Sequence, residues 1–330
     1  MNYGSSGLLA SKALFGFMQY KTAEGLSPTT LVGYEYILKV WVARIGEKMI
    51  NRISPDDLRN YLAWLRTEYK PQRFSGSDHP LSPKSLRNVF ITLCAFFTWA
   101  SKEFGFENPM KAVPAPKFEE PVIEPFNKDQ LETLLKVTEF KRQANTDNRK
   151  KFVSRRATAK RDRVIILFLL DTGLRASELC SLTIGDVDQK VGRVQVKHGA
   201  AGGAKGGKGR IVFLGKATRN ALWRYLVDRD DGTDPQAPLF LEVNGRALNK
   251  TALRMLIGDL GKKANINKCH PHLFRHTFAI TYLRNGGDLF TLQSLLGHSS
   301  LEMVRHYARI AEVDVAQAHR RASPADNWHL

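Results

Sequence analysis

Five prolines fall between Asn108 and Phe126, in the stretch "NPMKAVPAPKFEEPVIEPF". Each one removes a backbone donor and fixes φ, so such a stretch builds neither a helix interior nor a central strand. It reads as an extended, semi-rigid linker, and the chain must divide there. The division predicts one domain over residues 1–117 and a second over 118–330. Each is long enough to bury a core of its own.

The first domain reads as helical. Three Ser-Pro pairs punctuate it: Ser27-Pro28, Ser54-Pro55 and Ser82-Pro83. Serine at the N-cap followed by proline at the first helical position is a strong start signal. After the first pair, Leu31, Tyr34, Ile37, Leu38, Trp41 and Ile45 recur at the spacing of one buried helical face. After the second pair, two aspartates open the helix, as its dipole favours. The third helix opens on Lys84, Arg87 and Asn88 and turns apolar later. The dipole disfavours cations at that end, so these residues are candidate phosphate contacts or simply a solvated face.

The second domain opens with "FNKDQLETLLKV", where Asn127 caps a short helix. Residues 141–163, "KRQANTDNRKKFVSRRATAKRDR", are strongly basic and read either as a loop or as a DNA-contacting insertion. "VIILFLLDTG" reads as a buried helix ending at Gly173. "DVDQKVGRVQVKHG" and "GRIVFLG" alternate like strands and are joined by the glycine- and lysine-rich "GAAGGAKGGKG". Helices follow from Ala217 onward. The fold class expected is therefore mainly α, with a small antiparallel β-sheet in the second domain.

Composition narrows the function. Lys plus Arg number 50 against 32 Asp plus Glu, a formal charge of +18. Such an excess points to a polyanion, nucleic acid first and an anionic membrane surface second. Cys94, Cys180 and Cys269 are far apart and form no CxxC, which argues against a disulfide framework or a zinc ribbon and fits a reducing cytoplasm. The longest strongly apolar run, Val164 to Leu170, is too short to span a bilayer, and the N-terminus lacks an export pattern.

Four C-terminal stretches carry the chemistry. In "LLGHSSLEMVRHY", Ser299 and Glu302 have capping-box spacing, and the apolar stripe Leu301, Val304, Ala308 and Ala311 runs beside Tyr307. Tyr307 is then either the edge of a packed face or a reactive phenol. With an ordinary pKa of about 10, only about one phenol in a thousand is ionised at pH 7, so a reactive phenol needs a base and cations nearby. In "HPHLFRHTFA", Pro271 suits a helix start, and His272 and Arg275 lie three residues apart. His276 makes a metal conceivable, but no carboxylate or cysteine joins it at ligand spacing. In "DTGLRASEL", Arg175 and Glu178 form either a local ion pair or an arginine fork oriented towards phosphate.

"TGLRASEL", "AKGGKGRIVFLG", "HLFRHTFA" and "LLGHSSLEMVRHY" occur in that order, with His298 and Tyr307 nine positions apart. Together they resemble the catalytic domain of the tyrosine recombinases, the phage integrase and Xer-like family, closely over residues 120–315. The N-terminal domain is similar, more loosely, to that family's SAM-like core-binding domain. The resemblance implies a two-domain C-shaped clamp on DNA. It implies Tyr307 as nucleophile, Arg175 and Arg275 on the scissile phosphate, and His272 and His298 as the two histidine positions. Lys205 would be the loop lysine, with Glu178 supporting the first arginine. Lys208 is the second candidate lysine, since the loop is longer than the family's compact turn. Arg210 and Lys208 join Lys84, Arg87 and Asn88 as expected DNA contacts.

The activity implied is site-specific recombination through a 3′-phosphotyrosyl link and a Holliday junction, in integration, excision, mobile-element movement or dimer resolution. It would need no metal, ATP or cofactor. Homotetramers on two synapsed duplex sites are implied as well, in the cytoplasm at the nucleoid and with no membrane, with the C-terminal tail docking into a neighbouring subunit. Whether an accessory activator takes part is open. Two alternatives stay beside this reading: DNA relaxation of the type IB topoisomerase kind, and a catalytically inactive DNA-binding regulator.

Overall fold

The computed structural model describes residues 8–71, 79–118, 123–139, 156–197, 209–297, 304–305, 307–308, 319 and 323–328. The chain folds as two compact units, Met1–Pro121 and Val122–Leu330.

The first unit is built from α1 (Ala10–Ala23), α2 (Pro28–Ile45), α3 (Pro55–Thr67) and α4 (Pro83–Phe104). Ser27, Ser54 and Ser82 each accept a backbone N–H in the first turn of the helix that follows, so all three Ser-Pro pairs start helices. The core is aromatic: Phe17, Trp41, Phe96 and Phe97 are fully buried, with Phe17 and Phe96 edge to face at 5.4 Å. Such ring pairs add to area burial and fix the angles between helices.

The proline-rich stretch is less extended than its composition predicts. Pro109–Ala112 form a 3-10 turn in which Asn108 accepts the Met110 N–H at 2.9 Å, and Met110 and Val113 are buried in the core of the first unit. Two apolar side chains drew the start of the stretch inward despite its prolines.

The second unit begins with α5 (Lys128–Glu139), where Asn127 and Gln130 cap each other at 2.8 and 3.0 Å. Then come α6 (Ala159–Thr172) and α7 (Ala176–Cys180). β1 (Val187–Asp188), β2 (Arg193–Val196) and β3 (Arg210–Phe213) form one antiparallel sheet in the order β1-β2-β3. The stretch expected as a single strand is thus split by a turn, in which Asp188 accepts the Lys190 N–H at 2.9 Å. α8 (Lys216–Leu226), α9 (Lys250–Lys263), α10 (Pro271–Arg284) and α11 (Leu289–Leu296) follow, and Pro324–Asn327 form a last short helix. Val304, Arg305, Tyr307 and Ala308 are helical.

The end of the basic segment 141–163 is not loop but the start of α6. Lys160 pairs with Asp228, Arg161 with Asp162 and Arg163 with Glu139. Residues 141–155 lie outside the described residues. No helix among the described residues is long and apolar enough to cross a membrane.

Candidate active site

The site is organised by two helix C-termini. α6 ends at Gly173 and α11 at Gly297, both left-handed caps at φ of about +60°. A Cβ on Gly173 would lie 2.5 Å from the ring of Phe278, so α10 packs against that cap only because glycine is there. The last carbonyls of a helix have no partner within it and carry the negative end of its dipole. Arginines fill those vacancies here. Arg275, on α10, donates through Nη1 to Gly173 O at 2.9 Å and through Nη2 to Leu296 O at 2.8 Å. A planar fork reaches both carbonyls at once, which a lysine ammonium does not.

Arg275 is 1% exposed. Burial, then the charge of Arg175, brings its guanidinium down to about 10, while Glu178 and Tyr307 act in the opposite sense. It therefore stays cationic at neutral pH. A buried cation of this kind is costly unless its surroundings stabilise it.

Glu178 sits at the centre of the remaining charge. Its carboxylate accepts from the Arg175 backbone N–H at 2.8 Å and from Arg175 Nη1 at 2.9 Å. It also accepts from Arg210 Nη1 at 2.9 Å and Nη2 at 2.8 Å. Burial would raise the Glu178 pKa, but the Arg210 hydrogen bonds and charge, followed by those of Arg175, hold it at about 2. Three arginines against one glutamate leave two net positive charges in this cluster.

Tyr307 is 5% exposed and packs with Ile280 and Leu283 of α10 and with Leu292 and Leu296 of α11. It lies inside the packed face rather than at its edge. Burial raises its pKa. The charges of Arg275 and Arg175, and a hydrogen bond from Arg275 to the phenol oxygen, work against that rise. The phenol is thus buried on its ring and addressed by cations at its oxygen.

Arg175, Arg275, Glu178 and Tyr307 are therefore together. His272, exposed on the first turn of α10, connects to them through His276, which the sequence suggested only as a possible metal ligand. The rings of His272 and His276 lie 4.5 Å apart, and those of His276 and Tyr307 5.5 Å apart. The i, i+4 spacing of His272 and His276 on one helix was the available signal. Arg210, expected at DNA, is turned inward to Glu178 and to Leu295 O, which its Nε reaches at 2.7 Å. Lys84, Arg87 and Asn88 are exposed on the first turns of α4 in the other unit, and Arg87 donates to Pro116 O at 3.2 Å. Lys205, Lys208, His298 and the Ser299–Glu302 pair lie outside the described residues, as does most of the C-terminal tail. Among the described residues no group of three or more His, Cys, Asp or Glu is disposed to hold a metal.

Both units match known families. Residues 126–313 match the profile of the phage integrase family, and residues 16–103 that of the phage integrase N-terminal SAM-like domain. The tyrosine recombinase XerC of Pelobacter propionicus is 30% identical over 313 residues, 93% of each chain. The XerC of Staphylococcus epidermidis is 30% identical over 271 residues, 81% of each. Among solved structures, the Tn1549 transposon integrase in complex with transposon right end DNA has a TM-score of 0.71 at 22% identity, covering 96% of this chain and 99% of that one. A lambda integrase dimer bound to a core site has 0.66 at 17%, covering 91% and 95%. These two share the fold. With a family profile over more than half of its length and XerC relatives along nearly all of it, the chain belongs to the phage integrase family, the tyrosine recombinases.

Proposed function

We propose that the chain is a site-specific DNA recombinase in which Tyr307 attacks the scissile phosphodiester. The observation that carries this reading is the convergence of Arg175 and Arg275 on the buried Tyr307 phenol. Attack by the phenol oxygen forms an O–P bond and breaks the bond from phosphorus to the 5′ oxygen. Negative charge builds on the non-bridging oxygens as it does so. Two guanidinium groups, that of Arg275 buried, stabilise that charge where it develops.

The proton balance needs two more groups. The phenol proton passes to an imidazole, with His272 and His298 the candidates. The leaving 5′ oxygen takes a proton from a loop lysine, Lys205 in preference to Lys208. One ester replaces another, so no ATP is consumed. The arginines occupy the electrostatic role that a metal holds in other phosphoryl-transfer sites. Reversal by the 5′-hydroxyl of a partner duplex exchanges strands, and two exchanges pass through a Holliday junction.

The partner is double-stranded DNA, with a homotetramer spanning two synapsed sites. The high positive charge supports binding that weakens steeply with salt. The compartment would be the cytoplasm, at the nucleoid.

The test is a nicked duplex that loses its 5′-hydroxyl fragment after cleavage and so traps the adduct. The parent protein should become covalently attached through Tyr307, with or without a chelator, and Tyr307→Phe should not. DNA binding without any adduct would instead point to a regulator. Plasmid relaxation without exchanged products would point to a topoisomerase.

A further inference from the structure

We propose that Arg210 is a positioning residue: by sharing Glu178 with Arg175, it keeps that carboxylate from neutralising the arginine that faces phosphate. The inference rests on the functional reading above and deepens it.

The geometry makes the case. A carboxylate left with one arginine tends to form a two-point fork pair, which is electrically neutral and closed to a second anion. Here the Glu178 carboxylate is divided. Both of its oxygens accept from Arg210, one from each terminal nitrogen, while Arg175 reaches it through a single terminal nitrogen and its main-chain N–H. The Arg210 side chain is 13% exposed and that of Arg175 38%. The fork pair is thus made with the inner arginine, and the outer one keeps part of its guanidinium towards solvent.

Arg210 is itself fixed. Its Nε is spent on Leu295 O, and Gly297 leaves it room, since a Cβ there would come within 3.1 Å of Nη1 and 3.2 Å of Cδ. The charged groups around Glu178 are Arg175 at the start of α7 and Arg210 on β3, with Arg275 of α10 acting on the same cluster. Removing Arg210 lowers the net charge of that set from two to one. It also hands both carboxylate oxygens to Arg175.

The experiment is single-turnover cleavage of the nicked duplex by the full chain, with DNA affinity and melting temperature measured in parallel. Arg210→Met should slow cleavage about 10- to 100-fold, the range usual when a group that orients a ligand is removed. DNA affinity should change little. Adding Glu178→Gln to Arg210→Met should restore most of the rate. Arg210→Lys, which keeps the charge, should stay closer to the parent than Arg210→Gln, and this pair carries the test if Arg210→Met does not fold. A double variant as slow as the single one, or equal rates for Lys and Gln, would overturn the proposal and leave Arg210 a strut for β3. A parent protein that forms no adduct would overturn the functional reading itself, and this inference with it.

Discussion

Asp162 and Glu178 are both carboxylates of the second unit that accept from a pair of arginines. Asp162 is fully buried and takes Arg161 Nε and Nη2 at 3.0 and 2.7 Å, Thr158 Oγ1 at 2.8 Å and Arg156 at 3.0 Å. Every one of these partners lies within six residues of it in the chain. Glu178 takes one arginine from three residues away and another from thirty-two away. Behind them stand Arg275 and Tyr307 from later helices. The first cluster pins the entry of α6, with Arg161 Nη1 reaching on to Leu241 O at 2.8 Å. The second exists only once α7, β3, α10 and the segment of Tyr307 have assembled. A buried arginine–carboxylate pair is therefore not by itself the mark of a site. What distinguishes Glu178 is the third cation and the phenol drawn in beside it.

The strongest way to break the comparison is to remove the distinguishing cation. Arg275→Met should cut cleavage about a thousandfold, roughly 4 kcal/mol of transition-state stabilisation. Stability should change far less, since the desolvation of a buried charge is relieved as two carbonyl partners are lost. Asp162→Asn should do the reverse. It leaves Arg156 and Arg161 without their counter-charge and should cost about 3–5 kcal/mol in urea unfolding. Cleavage per folded molecule should not change. If Asp162→Asn slowed cleavage as much as Arg275→Met, the two clusters would not be separable in function.

Acid sharpens the contrast. Glu178 binds its proton less tightly folded, at about 2, than its ordinary 4.5. Its contribution is fully present above about pH 4.5 and is lost as pH falls from there towards 2. The difference corresponds to an upper figure of about 3 kcal/mol. Glu178→Gln should therefore flatten the stability-versus-pH curve in that window and leave its shape above pH 5 unchanged. An unaltered acid limb, followed by equilibrium urea unfolding at each pH, would mean that the arginines do not hold the carboxylate as the structure has them.

The same contrast explains what could be read from the chain. Helix starts were legible because a cap is local: Ser54 and Asp57 are three residues apart, and no other element is needed to recognise them. Arg175 with Glu178, and His272 with Arg275, were legible for the same reason. The inward partners of Arg210, Glu178 and Leu295, were not legible because they are remote in sequence, and a lone arginine after a basic loop looks like a phosphate contact. The depth of Tyr307 was hidden too, since the face that buries it comes from α10 and α11. The fold into which Met110 and Val113 draw the proline-rich stretch is likewise a tertiary effect that composition alone did not carry.

The smallest test addresses locality directly. Thr158 precedes α6 and donates its hydroxyl to Asp162 at 2.8 Å. Thr158→Val keeps the shape and the branching and deletes one hydrogen bond to a charged acceptor. Such a bond is worth about 1.5–3 kcal/mol, and because two arginines remain on Asp162 the lower end is expected. The loss should appear as slower folding as well as lower stability if the local cluster forms early, since a contact already made in the transition state shifts the folding rate. A loss seen wholly in the unfolding rate would mean that the Asp162 cluster, despite its short sequence span, forms as late as the one around Glu178. Locality in the chain would then say nothing about the order in which the two are built.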